Sequence, residues 1–281
     1  MVDVNEENGI KQIMNVIEVE NVSKTYKTHI KGGILSDLFQ HRKYMYIAAV
    51  HDVSFSVGES EIFGLIGLNG AGKTTLIKLV AGVMKADTGN IAIMREDPFK
   101  KSIQYRNTVS LIMGQNNQLN TDLTIMDNIL FMAAMYRIHQ DVAIQRTVAM
   151  REKLMLAEED LRKQVRMLSL GQRMKGELIL SFLHLPKIIF LDEPTLGLDF
   201  MAQNAVRHFL ADYVQQHKAS IILTSHYIKD IEELCERVLI LFKGGTIYCG
   251  SVEELKGAVQ ADGLNSLDDI IEEMYSSARV E

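Results

Sequence analysis

The sequence predicts an α/β fold, a mostly parallel sheet with flanking helices, joined by an antiparallel β portion and an inserted helical portion. Three observations predict it. Short, continuously apolar runs at Glu61 to Ile66, Lys187 to Leu191 and Ser220 to Leu223 have the pattern of parallel strands buried on both faces. Alternating apolar and polar residues at Val16 to Val22 and Val50 to Val57 instead read as half-exposed strands, as antiparallel sheets provide. Between Gln115 and about Leu168 the period becomes helical, with apolar residues every three or four positions over Ile125 to Ile138 and Val142 to Leu156.

Taken in order, the half-exposed strand Val16 to Val22 comes first, with Tyr26 close behind it. Lys27 to Tyr46 is basic, carrying Lys27, Lys31, Arg42 and Lys43 around a small apolar cluster at Ile34 to Phe39. It reads as a solvated surface loop, or as a weakly amphipathic element that touches a membrane or a membrane-bound partner. Gly58-Glu59 turns the second strand into the apolar run that ends at Ile66. There the chain reads Gly67-Leu68-Asn69-Gly70-Ala71-Gly72-Lys73-Thr74-Thr75, followed by Leu76, Leu79, Val80 and Val83 at helical spacing. Strand, glycine loop and helix in this order make G-x-x-x-x-G-K-[ST] a phosphate cradle. Glycines let backbone N–H groups wrap the phosphates, Lys73 reaches the β- and γ-phosphates, and the Thr74 hydroxyl ligates Mg²⁺.

Asp87 to Asn90 reads as a turn before a short strand at Ile91 to Ile93, and Val109 to Met113 is a strand ending at Gly114-Gln115. In the helical stretch that follows, Met126, Met132, Met135, Met150 and Met155 read as core filler. Ser169 and Gln172 have the spacing of a capping box and open a helix running to about His184. The apolar strand to Leu191 ends at Asp192-Glu193-Pro194, a helix from about Met201 to Gln216 follows, and the strand to Leu223 ends at Thr224-Ser225-His226. Val238 to Phe242 and Thr246 to Cys249 flank Lys243-Gly244-Gly245 as a hairpin, and the chain from Ser251 is short, acidic and helical in pattern.

Composition bounds the function. A chain of 281 residues with 47% hydrophobic residues can bury the core of one domain with an insert. A formal charge of −6 lacks the basic footprint of a nucleic-acid binder, so no nucleic-acid partner is expected. Met1 to Asn15 has no apolar signal core, and no apolar run reaches the roughly 18 residues of a spanning helix. A soluble, cytosolic chain is expected. Cys235 and Cys249 have neither redox nor metal spacing and read as reduced structural cysteines.

The chemistry gathers where three apolar strands end. The phosphate loop follows Ile66, Asp192-Glu193 follows Leu191, and His226 follows Leu223. In open α/β sheets that edge binds ligands. Phosphoryl transfer to water needs charge neutralisation and an in-line water, and the residues offer both. Asp192 can hold Mg²⁺, Glu193 can orient and deprotonate the water, and His226 can donate to the γ-phosphate.

These motifs, with Gln115, Leu168-Ser169-Leu170-Gly171-Gln172 and Gly197-Leu198-Asp199, stand in the order of an ATP-binding-cassette (ABC) nucleotide-binding domain, which the chain resembles from about Val16 to Gly250. The resemblance implies a P-loop NTPase core with an antiparallel β subdomain over 16–96 and 187–250, an inserted helical subdomain over 97–186, and a short acidic tail over 251–281. It implies an ATPase with ATP and Mg²⁺ as ligands. Lys73, Gln115, Glu193 and His226 would be catalytic, and Thr74, Gln115 and Asp192 would surround the metal. Gly67, Asn69, Gly70, Ala71, Gly72, Lys73, Thr74 and Thr75 would hold the nucleotide phosphates, and Tyr26 would stack on adenine, with Tyr44 and Tyr46 as alternatives. Ser169, Gly171, Gln172 and Asp199 would meet the nucleotide of a second cassette, so a homodimer is implied.

Within the family the chain resembles the ATPase subunits of bacterial exporters with separate permease chains. Such a subunit would sit on the cytoplasmic face of the membrane, held there by the permease. The basic segment resembles an insertion in polysaccharide and teichoic-acid exporters, whereas Asp192 to Asp199 is similar to drug- or ion-efflux cassettes. One departure is Leu170, which stands where the family's signature has its first glycine. A non-transport cassette and a nucleotide-sensing subunit are the competing readings.

Overall fold

The computed structural model describes residues 14–29, 44–114, 118–225, 227–261 and 266–278. Two sheets carry the fold. In the smaller, β1 (Asn15–His29) pairs antiparallel with β2 (Tyr44–Gly58) on one side and β4 (Thr88–Ile93) on the other. In the larger, β3 (Ile62–Gly67), β5 (Val109–Met113), β6 (Ile188–Asp192), β7 (Ser220–Thr224), β8 (Arg237–Phe242) and β9 (Gly245–Ser251) lie in the order β5-β6-β7-β3-β8-β9. All its pairings are parallel except β8 with β9.

The inner strands of the larger sheet, β3, β6, β7 and β8, are buried on both faces, which is why they read as unbroken apolar runs. Side chains alternate between two cores as the strand period of two requires. Ile189, Leu191, Ile221, Leu223, Val238 and Ile240 enter one core; Ile188, Phe190, Ile222, Leu239 and Leu241 enter the other. The second core is closed by α1 (Lys73–Val80) and by Ile17, Val19, Val22, Val50, Val53 and Val57 of the smaller sheet. The first is closed by the helices inserted after β5 and by α6 (Phe200–His217), which follows β6.

Before β5 lies α2 (Ile103–Thr108), a six-residue helix capped by Ser102 and too short to show a period in the sequence. After β5 come α3 (Ile125–Met135), α4 (Gln140–Lys153) and α5 (Leu170–Phe182). Two of them start on capping boxes, Thr124 with Asp127 and Ser169 with Gln172, each satisfying two end groups that would otherwise lack partners. α7 (Ile228–Leu234) follows β7, and α8 (Val252–Ala261) and α9 (Leu267–Ser277) complete the described chain.

The structure differs from the sequence expectation around the basic segment. Lys27, Thr28 and His29 pair with Tyr46, Met45 and Tyr44, so both ends of that segment are strand rather than loop. Backbone pairing holds this extension, and its described side chains are exposed, which removes the alternation that marks a half-buried strand. Its centre, residues 30–43, lies outside the described residues. Thr88 to Asn90, read as a turn, belongs to β4 and pairs with Ser23 and Glu20 of β1.

Candidate functional site

The phosphate loop leaves β3 at Gly67 and enters α1 at Lys73. Gly72 is the N-cap with φ 106°, and no side chain caps the helix. A Cβ at Gly72 would lie 2.3 Å from the Ala49 carbonyl oxygen of β2, so the smaller sheet backs the loop directly. The β8–β9 turn holds it from the other side, since Gly244 N donates to Ala71 O at 3.0 Å while Gly244 O accepts from His51 N at 2.9 Å. A helix start with no side-chain cap presents its N–H groups and positive dipole end to an anion. Lys73 is buried, and its ammonium donates to Gly67 O at 2.5 Å and Leu68 O at 3.4 Å. Burial pushes this lysine below its ordinary range, and the carboxylates of Glu193 and Asp192 act the other way.

Asp192 is the last residue of β6 and is brought against the loop by sheet order. Its Oδ2 accepts from Thr74 Oγ1 at 3.2 Å, and its Oδ1 accepts from Thr224 Oγ1 at 2.7 Å. Glu193 follows with φ 57°, a left-handed conformation that costs a non-glycine residue on the order of 1–2 kcal/mol. Two hydrogen bonds hold it there, from Glu193 N to Thr224 O at 3.1 Å and to Thr224 Oγ1 at 3.0 Å. Thr224 therefore orders both acidic residues. A single threonine at a strand end has no sequence signature, and sequence reasoning gave it no role.

Gly114 N donates to Asp192 O at 3.1 Å, so the end of β5 adjoins the end of β6. The expectations for Gln115 and His226 fall outside the described residues. The chain is held on the far side of Gln115, where buried Glu177 of α5 accepts from Gln118 N at 2.8 Å and Leu119 N at 3.2 Å. Burial raises the Glu177 carboxyl above the usual carboxylate range, and these two donors oppose the shift.

The second group of predicted residues stands apart. Ser169, Gly171, Gln172 and Asp199 line a cleft of about 500 Å³, whose lining includes none of residues 67–75. Ser169 Oγ accepts from Gln172 N at 3.2 Å, and Gln172 Oε1 accepts from Ser169 N at 2.8 Å. Asp199 caps α6 by accepting from Ala202 N at 2.9 Å. Leu170 is 54% exposed and lies over Gly197, where an added Cβ would come within 2.5 Å of Leu170 Cδ2. Tyr26 lies on the β1–β2 hairpin, 37% exposed, with its hydroxyl 3.3 Å from Met84 Sδ. Tyr44 and Tyr46 are also exposed, and the Lys27 ammonium sits 3.8 Å from the Tyr44 ring centroid.

A profile of the ABC transporter family matches residues 50–196, more than half of the chain. The chain belongs to the ABC transporter family. Among similar ABC proteins, the ABC transporter ATP-binding protein NatA of Bacillus subtilis is 28% identical over 81% of this chain and 91% of its own length. The linearmycin resistance ATP-binding protein LnrL of the same organism is 28% identical over 90% of this chain and 74% of its own. The structure of an ATP-binding subunit of an ABC transporter superimposes with a TM-score of 0.74 at 27% identity, covering 92% of this chain and 99% of that one. The protein is thus an ATP-binding, ATP-hydrolysing ABC cassette, and its mixed parallel sheet, helices and antiparallel sheet are those of the P-loop NTPase fold. Among the described residues no helix is long and apolar enough to cross a membrane.

Proposed function

We propose that this cassette drives export through separate membrane chains, working as a pair of copies that enclose two ATP molecules. The observation that carries the reading is the separation of two half-sites. The phosphate loop and Asp192 meet within 3.2 Å, whereas Ser169, Gly171, Gln172 and Asp199 line a different cleft. Each half needs a complementary surface that a second copy offers. The ABC family supplies the ATPase reading, and LnrL, a resistance protein by name, favours export.

In this reading 16–96 and 187–250 form the nucleotide-binding core and β subdomain, 97–186 the helical subdomain that carries the signature residues Ser169, Gly171 and Gln172, and 251–281 a short acidic helical tail. The subunit sits on the cytoplasmic face of the membrane through its permease. Gly67 to Thr75 bind the ATP phosphates, and Lys73 exchanges the Gly67 carbonyl for phosphate oxygens, trading a neutral acceptor for a charged one. Tyr26 stacks on adenine, its ring lying on the hairpin that backs the loop. Thr74 Oγ1 and Asp192 Oδ2 are hard oxygen donors already side by side, a fit for Mg²⁺, with Gln115 as a third group. Mg²⁺, when bound, supplies charge neutralisation on the phosphates. Glu193 orients the attacking water and accepts its proton, and His226 donates to the γ-phosphate.

The test is affinity purification of the Glu193→Gln protein from detergent-solubilised native membranes, with mass spectrometry of what accompanies it. A stoichiometric multi-span membrane protein is the expected result. Recovery of ribosomes or nucleic acid, with the cassette wholly in the soluble fraction, would move the assignment to a non-transport ATPase.

A further inference from the structure

Asp230 of α7 has no solvent exposure, 0%, and Arg207 of α6 is 2% exposed. A carboxylate so buried must be fully compensated. Its Oδ1 accepts from Arg207 Nη1 at 2.6 Å, and its Oδ2 accepts from Thr195 Oγ1 at 2.5 Å and from Ser225 Oγ at 2.7 Å. Arg207 is held in turn by Asn204 and by Glu233, whose Oε2 lies 2.7 Å from Arg207 Nε at an ion-pair distance. A buried ion pair of this kind adds little stability over well-packed apolar residues, because desolvating both charges offsets their attraction. Its meaning lies in what it connects.

Thr195 stands two residues after Glu193, on the loop leaving β6. Ser225 follows β7, and its Oγ also accepts from Tyr227 N at 3.0 Å, so Ser225 and Tyr227 are held on either side of His226 in the chain. One carboxylate thus ties the loop after β6 to the loop after β7. On the first of those loops Glu193 keeps its left-handed backbone with the two hydrogen bonds its own N–H makes to Thr224, and its carbonyl accepts from Leu196 N at 3.2 Å, one residue past Thr195. Relaxation of either loop would let Glu193 return to an ordinary conformation and re-aim its carboxylate.

We propose that Asp230, locked by Arg207, is a positioning residue for hydrolysis, acting through Thr195 and Ser225 to keep Glu193 in its strained conformation at the edge of the sheet. The inference rests on the reading of Glu193 as the group that orients the water. The bridge needs both ends: losing Thr195–Asp230 or Asp230–Ser225 opens it equally.

The experiment measures kcat, the ATP KM and Tm for Thr195→Val, Ser225→Ala, the double variant and Thr195→Ser. Thr147→Val serves as a control, since it removes a buried hydroxyl that donates to Ala143 O at 2.7 Å within α4, away from the bridge. Thr195→Val and Ser225→Ala are each expected to lower kcat about tenfold, equivalent to about 1.4 kcal/mol of activation energy, with KM within about twofold of wild type. The double variant should lose no more than the worse single one, because the bridge is already open. Thr195→Ser keeps the hydroxyl and should keep kcat, and Thr147→Val should lower Tm with kcat unchanged. Multiplicative losses in the double variant, unchanged kcat in both single variants, or an equal loss of kcat in the Thr147→Val control would overturn the proposal. Absence of turnover in the wild-type protein would instead overturn the hydrolytic reading on which it rests.

Discussion

Two hydroxyls on different elements aim at one carboxylate: Thr74 at the start of α1 and Thr224 at the end of β7 both donate to Asp192. A carboxylate held this way is fixed in rotamer before any ligand arrives, so less ordering remains to be done on binding. Gly72 shows the same economy in the backbone. With φ 106° and a backbone oxygen 2.3 Å from where a Cβ would be, it admits no other residue without displacing the loop or β2. Gly72→Ala should therefore abolish ATP binding and lower Tm, with about 1–3 kcal/mol from the backbone conformation alone. Calorimetric melting together with a fluorescent-nucleotide titration checks this, and wild-type values for both would refute the close fit. Gly72 was legible from the motif, whereas Thr224 was not. Its role comes from the register that sets Asp192 opposite Thr224, 32 positions away in the chain.

At the scale of elements, α5 carries different tasks at its two ends. Its N-terminus is the capped start at Ser169, legible from spacing, and its C-terminal side meets β5 through His184. The His184 ring stacks on Tyr136 at 4.2 Å, and its Nε2 lies 3.3 Å from Val109 O. Burial pushes this imidazole down to about 4, with Arg146 adding to the shift and the Val109 carbonyl opposing it. The unfolded chain protonates its histidine near about 6.5. Between those two values the unfolded state binds the extra proton, so stability falls as pH falls from about 6.5 towards 4, by up to about 1.4 kcal/mol per pH unit. His184→Gln should flatten that part of the pH–stability curve relative to wild type in denaturant titrations at stepped pH. Parallel curves for the two proteins would show that His184 is not the titrating group. The β1–β2 extension teaches the converse lesson about legibility. Its ends at Lys27 to His29 and Tyr44 to Tyr46 are strands held by backbone pairing, with exposed side chains where described, so no pattern in the sequence announced them.

For the whole molecule, the decisive geometry is that the cleft lined by Ser169, Gly171, Gln172 and Asp199 shares no residue with the phosphate loop and Asp192. If a second copy completes each, blocking hydrolysis while preserving binding should trap the closed pair. Glu193→Gln is expected to lose turnover by roughly 100-fold or more while still binding ATP, and to sediment as a dimer only with ATP and Mg²⁺ present. Analytical ultracentrifugation with and without nucleotide measures this. A monomer under both conditions, or full turnover in the variant, would contradict the paired arrangement and the role of Glu193.

Local chemistry determined what could be read from the chain alone. The phosphate loop, the Asp192-Glu193 pair, the Ser169 cap and the fully apolar strands are contiguous patterns, because the backbone geometry they serve spans only a few residues. The α/β class and the family followed from those patterns and their order. Tertiary structure alone decided which distant residues meet: Thr224 with Asp192 and Glu193, Leu170 over Gly197, Ala49 behind Gly72, and Asp230 between Thr195 and Ser225. Apart from Ser225 with Asp230, five positions apart, these contacts join residues that only the packing of strands, loops and helices brings together, and a hydrogen bond or a van der Waals contact leaves no trace in the spacing of residues so far apart.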